Sequence, residues 1–201
     1  MCQRLGIQPE TKLFHELVRI YSHPSRAYHN VAHIRFCLIE LEQVPKLSRL
    51  TESYATIEFA LWHHDAVYDP KASDNEERSA ELARKNAQEL GLSQDFQDKI
   101  THLILCTKHQ SIPQDLDGQI ITDLDLAILG RPEPEFKMYE RQIRREYKWV
   151  DEVLFSRGRA GILKLFLSRK QIYSTLYFNL KYEDQARKNL QASLDHLASY
   201  A

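Results

Sequence analysis

Residues 51–66 read TESYATIEFALWHHDA. Tyr54, Ile57, Ala60 and Leu61 recur at the three- and four-residue spacing of a single helical face. The last apolar turns, Phe59 to Trp62, run into His63, His64 and Asp65, and the polar stretch VYDPKASDN follows at once. This segment is read as a helix over 51–66 that carries a core on one side and delivers imidazoles and a carboxylate at its end.

The same period extends in both directions. Thr11 to Tyr21 places Leu13, Phe14, Leu17, Val18 and Tyr21 on one stripe. Asn30 is an N-cap for a helix through Val44, with Val31, Ile34, Leu38 and Leu41 inward and Pro45 ending it. Downstream, Ser73 with Glu76 fits a capping box opening a helix to Leu90, and Gly91 stands where a terminating glycine belongs. Ser93 caps a helix to about Thr107, followed by the polar run KHQSIPQDLDGQ. A short helix over Ile120–Leu129 ends at Gly130, and helices over 134–153, 158–179 and 181–199 complete the set. Nowhere does a convincing period of two appear. The fold class is all-α, a bundle of eight or nine helices spanning 1–201 as one domain.

Composition agrees. Six glycines and seven prolines in 201 residues are about half of the usual ~12%. A hydrophobic fraction of 43% with 27% charged residues is that of a soluble globular chain rather than a disordered one. Twenty-seven Lys+Arg against 28 Asp+Glu give a net charge of −1, without the basic excess of a dedicated nucleic-acid binder. No segment has the length of apolar sequence needed to cross a membrane, and the start lacks the apolar stretch of a signal peptide. Cys2, Cys37 and Cys106 are odd in number and lack metal-type spacing. Free thiols and a cytoplasmic location are therefore expected.

Nine histidines are present. His64 and Asp65, adjacent at the mouth of a helical core, could share one divalent ion. The plain alternative is a histidine at a helix C-terminus beside a solvated aspartate. His63 points about 100° away from His64 and is read as structural. His15, His23 and His196 receive no function. Tyr173, Tyr177, Phe178 and Tyr182 are read as packing, with a base-binding pocket as the minor alternative.

Order along the chain adds weight to the metal reading. His33 opens one helix, His64-Asp65 end the next, and an aspartate follows on a short apolar helix about 60 residues later. The stretches RAYHNVAHI (26–34), LWHHDAVYDP (61–70), DNEERSAELA (74–83), TKHQ (107–110), TDLDLAILG (122–130), IRREYKWV (143–150) and GRAGILKLFLSRKQIY (158–173) resemble the HD superfamily. They are most similar to its branch of predicted metal-dependent phosphohydrolases of roughly 200 residues. The resemblance implies a compact HD-type helical bundle and His33, His64, Asp65 and one of Asp123/Asp125 as metal ligands. Two positions on a helix differ by about 200°, so only one of the pair can face a single ion. Asp125 lies roughly 70° from the centre of the face made by Ile120, Ile121, Leu124 and Ile128, and Asp123 roughly 130°. Asp125 is therefore the expected ligand and Asp123 the alternative.

A shell of two imidazoles and two carboxylates suits Mn²⁺, Fe²⁺, Co²⁺, Ni²⁺ or Mg²⁺ better than a structural zinc. The chemistry implied is attack of metal-activated water on a phosphate ester in a small phosphorylated metabolite, a nucleotide being one option. Asp65 and Glu76 are the expected catalytic carboxylates, although Glu76 is equally explained as a helix-start residue. Lys108, His109, Arg26 and Arg144 are the expected phosphate contacts, with Arg145 a further candidate and His29 a neighbour of the ligands. A dinuclear phosphodiesterase or oxygenase would need His102 and His109 as extra ligands. A non-catalytic metal- or ligand-binding sensor is the third reading. Expected partners are the small substrate and, as an open alternative, a second copy of the chain, with neither nucleic acid nor membrane.

Overall fold

The computed structural model describes residues 11–45 and 51–198. Cys2 lies outside them. The described residues form nine α-helices and one 3-10 helix and contain no strand, as the periodicity predicts. The chain divides into two compact units, the first ending at Leu124 and the second starting at Asp125. No described helix is long and apolar enough to cross a membrane.

The first unit contains α1 (Thr11–Tyr21), α2 (Val31–Gln43), α3 (Thr51–His63), α4 (Asn75–Glu89) and α5 (Gln94–Cys106), and most of α6 (Leu116–Leu126). The α2 start is set locally, because the Asn30 side chain accepts from the Ala32 N–H at 2.8 Å and satisfies one orphan donor of the first turn. Ser93 does the same for α5 by accepting from Phe96 N. The capping box expected at Ser73 and Glu76 does not form. The helix begins at Asn75 behind Asp74, whose side chain makes no capping bond. Asn75 instead exchanges two 2.9 Å hydrogen bonds with the Asp69 backbone. Ser79 bonds both backbone groups of Val67. Two reciprocal clamps thus fasten the loop after Asp65 to α4.

The α3 helix is the centre of this unit and packs against α2, α4 and α5. Burial on both sides follows, with Tyr54, Ile57, Phe59, Ala60 and Leu61 all interior. Leu13, Leu17 and Tyr21 of α1 join Ile34 and Ala66 in one apolar cluster. Phe14, expected on that stripe, is exposed and meets Trp62 edge-on.

The second unit contains the 3-10 helix Ala127–Gly130, α7 (Glu133–Glu146), α8 (Glu152–Ser168) and α9 (Leu176–Leu197). Here the expected boundaries 134–153, 158–179 and 181–199 are displaced. Asp151 caps α8 by accepting from Val153 N and Leu154 N, so Gly158 lies inside a helix rather than opening one. The chain breaks at 169–175, where Glu183 receives the Ile172 and Tyr173 N–H groups and Arg187 donates to the carbonyls of Leu167 and Arg169. Gly130 permits close approach of the 3-10 helix to α9, since a Cβ there would lie 2.4 Å from Tyr182 Cβ. Asn189 fastens the same contact through the carbonyls of Leu129 and Arg131. Tyr173, Phe178 and Tyr182 are buried here as packing.

Candidate metal centre

His33 stands in the first turn of α2 and His64 one residue beyond α3, both almost fully buried. Their Nε2 atoms are 3.2 Å apart. Asp65 Oδ2 lies 3.0 Å from His64 Nε2 and 3.5 Å from His33 Nε2. Helix geometry supplies this convergence. The His64 N–H still donates to Ala60 O at 2.8 Å, so its side chain leaves from the last turn of a rigid element, and Asp65 takes the next direction round.

A backbone carbonyl constrains one ring of the triad. His64 Nδ1 donates to Leu61 O at 2.9 Å, which leaves a lone pair on Nε2 when the ring is neutral. That lone pair faces Asp65 Oδ2, a buried oxygen that receives no hydrogen bond. Acceptors directed at one another are repulsive unless a cation or a proton lies among them. Two imidazole nitrogens and a carboxylate oxygen are the donor set of a divalent transition metal. Burial alone would raise the Asp65 carboxyl, but His64, His29 and His33, once their imidazoles are protonated, outweigh it and hold the group well below the usual carboxylate range.

His63 is structural, as its direction on the helix predicts. Its Nδ1 donates to Phe59 O at 2.8 Å, Asn86 Nδ2 donates to its Nε2 at 3.1 Å, and the ring stacks on Phe59. Burial pushes it down to about 4, so it is neutral at physiological pH. His29 stacks on Tyr68 with ring centroids 4.1 Å apart and approaches His33 edge-on. Cys37, one turn beyond His33 and fully buried, lies 3.8 Å from the imidazole and from Leu124 O. The i, i+4 spacing of His33 and Cys37 was the sequence signal for that neighbour.

Asp125 is half-buried in the last turn of α6. Asp123 is 1% exposed, which corrects its assignment to an outward face. Ile120 through Leu124 are all interior, so α6 has no solvent side over this stretch and its helical phase cannot separate the two aspartates. Glu76 is half-buried in the first turn of α4. Lys108 pairs with Glu77. That hydrogen bond holds the carboxyl below, and the ammonium above, their ordinary ranges. His109 adopts φ +56° just past α5, a left-handed conformation seldom taken by residues other than glycine. Because α5 ends at Cys106, His102 and His109 do not share a helical face. His102 instead lies 2.7 Å from Asp115 at the surface.

The arginines are engaged elsewhere. Arg144 lies in the second unit, where it bonds Glu152 and the carbonyls of Tyr147 and Val150. Arg145 is exposed. Arg26 donates to the carbonyls of His29, Asp65 and Ala66, a role that sequence reasoning, which cast it as a phosphate contact, did not find. Cys37 and Cys106 are free thiols.

No protein-family model, curated protein or solved structure matches the chain.

Proposed function

We propose that this protein is a metal-dependent phosphohydrolase of the HD type, acting on a small phosphorylated metabolite, a nucleotide among the options. One observation carries the reading. Three metal-ligating atoms, His33 Nε2, His64 Nε2 and Asp65 Oδ2, converge within 3.5 Å of one another in a buried setting. We assign these residues as ligands of Mn²⁺, Fe²⁺, Co²⁺, Ni²⁺ or Mg²⁺, with Asp125 as a fourth, following the order of the motif. A metal bound there would supply a Lewis acid and lower the pKa of bound water.

The chain's own groups would then divide the work. Leu61 O fixes the His64 tautomer so that Nε2 is the coordinating atom. Asp65, anionic throughout the neutral range, offers carboxylate oxygens that could hold a metal and orient an attacking water by accepting its hydrogen bond. Its side chain retains 17% exposure, which leaves an edge accessible to solvent and substrate. His109, in the TKHQ stretch just past α5, is the proposed phosphate contact. Glu76 is kept as the candidate proton relay. A cytoplasmic setting and a homodimer belong to the same proposal.

The test combines metal analysis with a hydrolysis screen over phosphorylated metabolites in metal-defined buffers. The wild type should carry about one metal per chain and release phosphate from at least one ester. His64→Ala and Asp65→Ala should lose both while remaining helical by circular dichroism. Retention of a full equivalent of metal by either variant would refute the assignment.

A further inference from the structure

Arg26 stands between α1 and α2, 39 residues before Asp65, yet its Nη1 donates to the Asp65 carbonyl at 2.7 Å. The same nitrogen donates to His29 O at 3.0 Å, and Nη2 to Ala66 O at 2.9 Å. The guanidinium lies 5.1 Å from the ring centroid of Tyr21 and 5.7 Å from that of Tyr68, within cation–π range of both. Tyr21 is fully buried and its hydroxyl donates to Trp62 O, so one wall of this seat is rigid.

The need for such a group follows from where α3 stops. The helix ends at His63, so carbonyls past its end have no intrahelical donor. His64 remains tied to the helix through its own N–H and through Nδ1. His33 is carried by the first turn of α2. The Asp65 backbone carbonyl is gripped by a side chain from another segment.

We propose that Arg26 is a positioning residue of the metal centre. Its grip on His29, Asp65 and Ala66 sets where the Asp65 carboxylate stands against the two imidazoles, and it takes the guanidinium out of direct substrate contact. Lysine cannot replace it, because a single ammonium lacks the planar fork that reaches three carbonyls at once. This inference rests on the metal reading above.

Metal-free wild type, Arg26→Lys and Arg26→Ala are titrated with Co²⁺, following heat and the visible spectrum, with circular dichroism as the folding control. Both variants should bind Co²⁺ about 10–100-fold more weakly. Their Co²⁺ spectra should depart from that of the wild type, and added methylguanidinium should restore the wild-type spectrum in Arg26→Ala alone. Where Arg26→Ala fails to fold, Arg26→Lys, which keeps stem and charge, decides. Wild-type affinity and spectrum in a folded Arg26 variant would overturn the positioning role while leaving the metal centre standing. Absence of Co²⁺ uptake by the wild type, or uptake that survives His64→Ala, would overturn both.

Discussion

Asp65→Asn should move stability in opposite directions with and without metal. Without metal, Asp65 Oδ2 and His64 Nε2 face each other at 3.0 Å, and the Nδ1 proton of His64 is engaged with Leu61 O. An amide at position 65 can turn its N–H₂ toward that lone pair, converting an acceptor–acceptor contact into a hydrogen bond worth about 0.5–1.5 kcal/mol. The metal-free variant should therefore equal or exceed the wild type. With metal at a hundred times its dissociation constant, the wild type gains about 2.7 kcal/mol, which for a chain of this size is about 5–11 °C in Tm. The variant, lacking the anionic oxygen, should gain almost nothing. The two tryptophans, Trp62 and Trp149, fall in different units, so urea unfolding in a Trp149→Phe background reports on the first unit alone. Measurements at pH 8 in chelator and then in Mn²⁺ complete the comparison. A metal-free Asp65→Asn protein less stable by more than about 1 kcal/mol would show that the contact is an imidazolium–carboxylate pair. The argument from converging lone pairs would then fail.

Three further outcomes are expected. His63 has a folded-state value of about 4 against an unfolded value near 6.5, so the unfolded chain binds more protons between those limits. The stability held above pH 6.5 should fall by about 3 kcal/mol as pH drops to 4, and urea titrations of His63→Gln should lack this component. His109→Gly relieves the residue at φ +56° and should raise stability by about 0.5–1 kcal/mol while lowering hydrolysis on the order of 10²–10³-fold; stability and rate measured together separate the two roles. Gly130→Ala drives a methyl onto Tyr182 and should cost the second unit about 1–3 kcal/mol, read from Trp149 fluorescence.

Local chemistry was legible in the sequence. Asn30 and Ser93 cap their helices as read, because an N-cap bond needs only neighbouring residues. The separation of His63 from His64 followed from one helical step, and both rings stand as that step requires. What failed depended on distant partners. The phase argument for Asp123 presupposed a solvent side on α6, and neighbouring elements remove it. Gly158 read as a helix start, yet the helix capped by Asp151 begins at Glu152, six residues earlier. The pairing of Lys108 with Glu77 and the reach of Arg26 to Asp65 join segments 31 and 39 residues apart. No periodicity encodes such contacts.

The triad and its supports also bear on the order of events during synthesis. Tyr21, Arg26, His29, His33, Leu61, His64 and Asp65 all precede Ala66, and the unit that encloses them is specified by Leu124. Domains tend to fold as the chain emerges, at about 5–20 residues per second, so this unit leads the second by roughly 4–15 s. A divalent ion captured in that interval would stabilise a half-made protein.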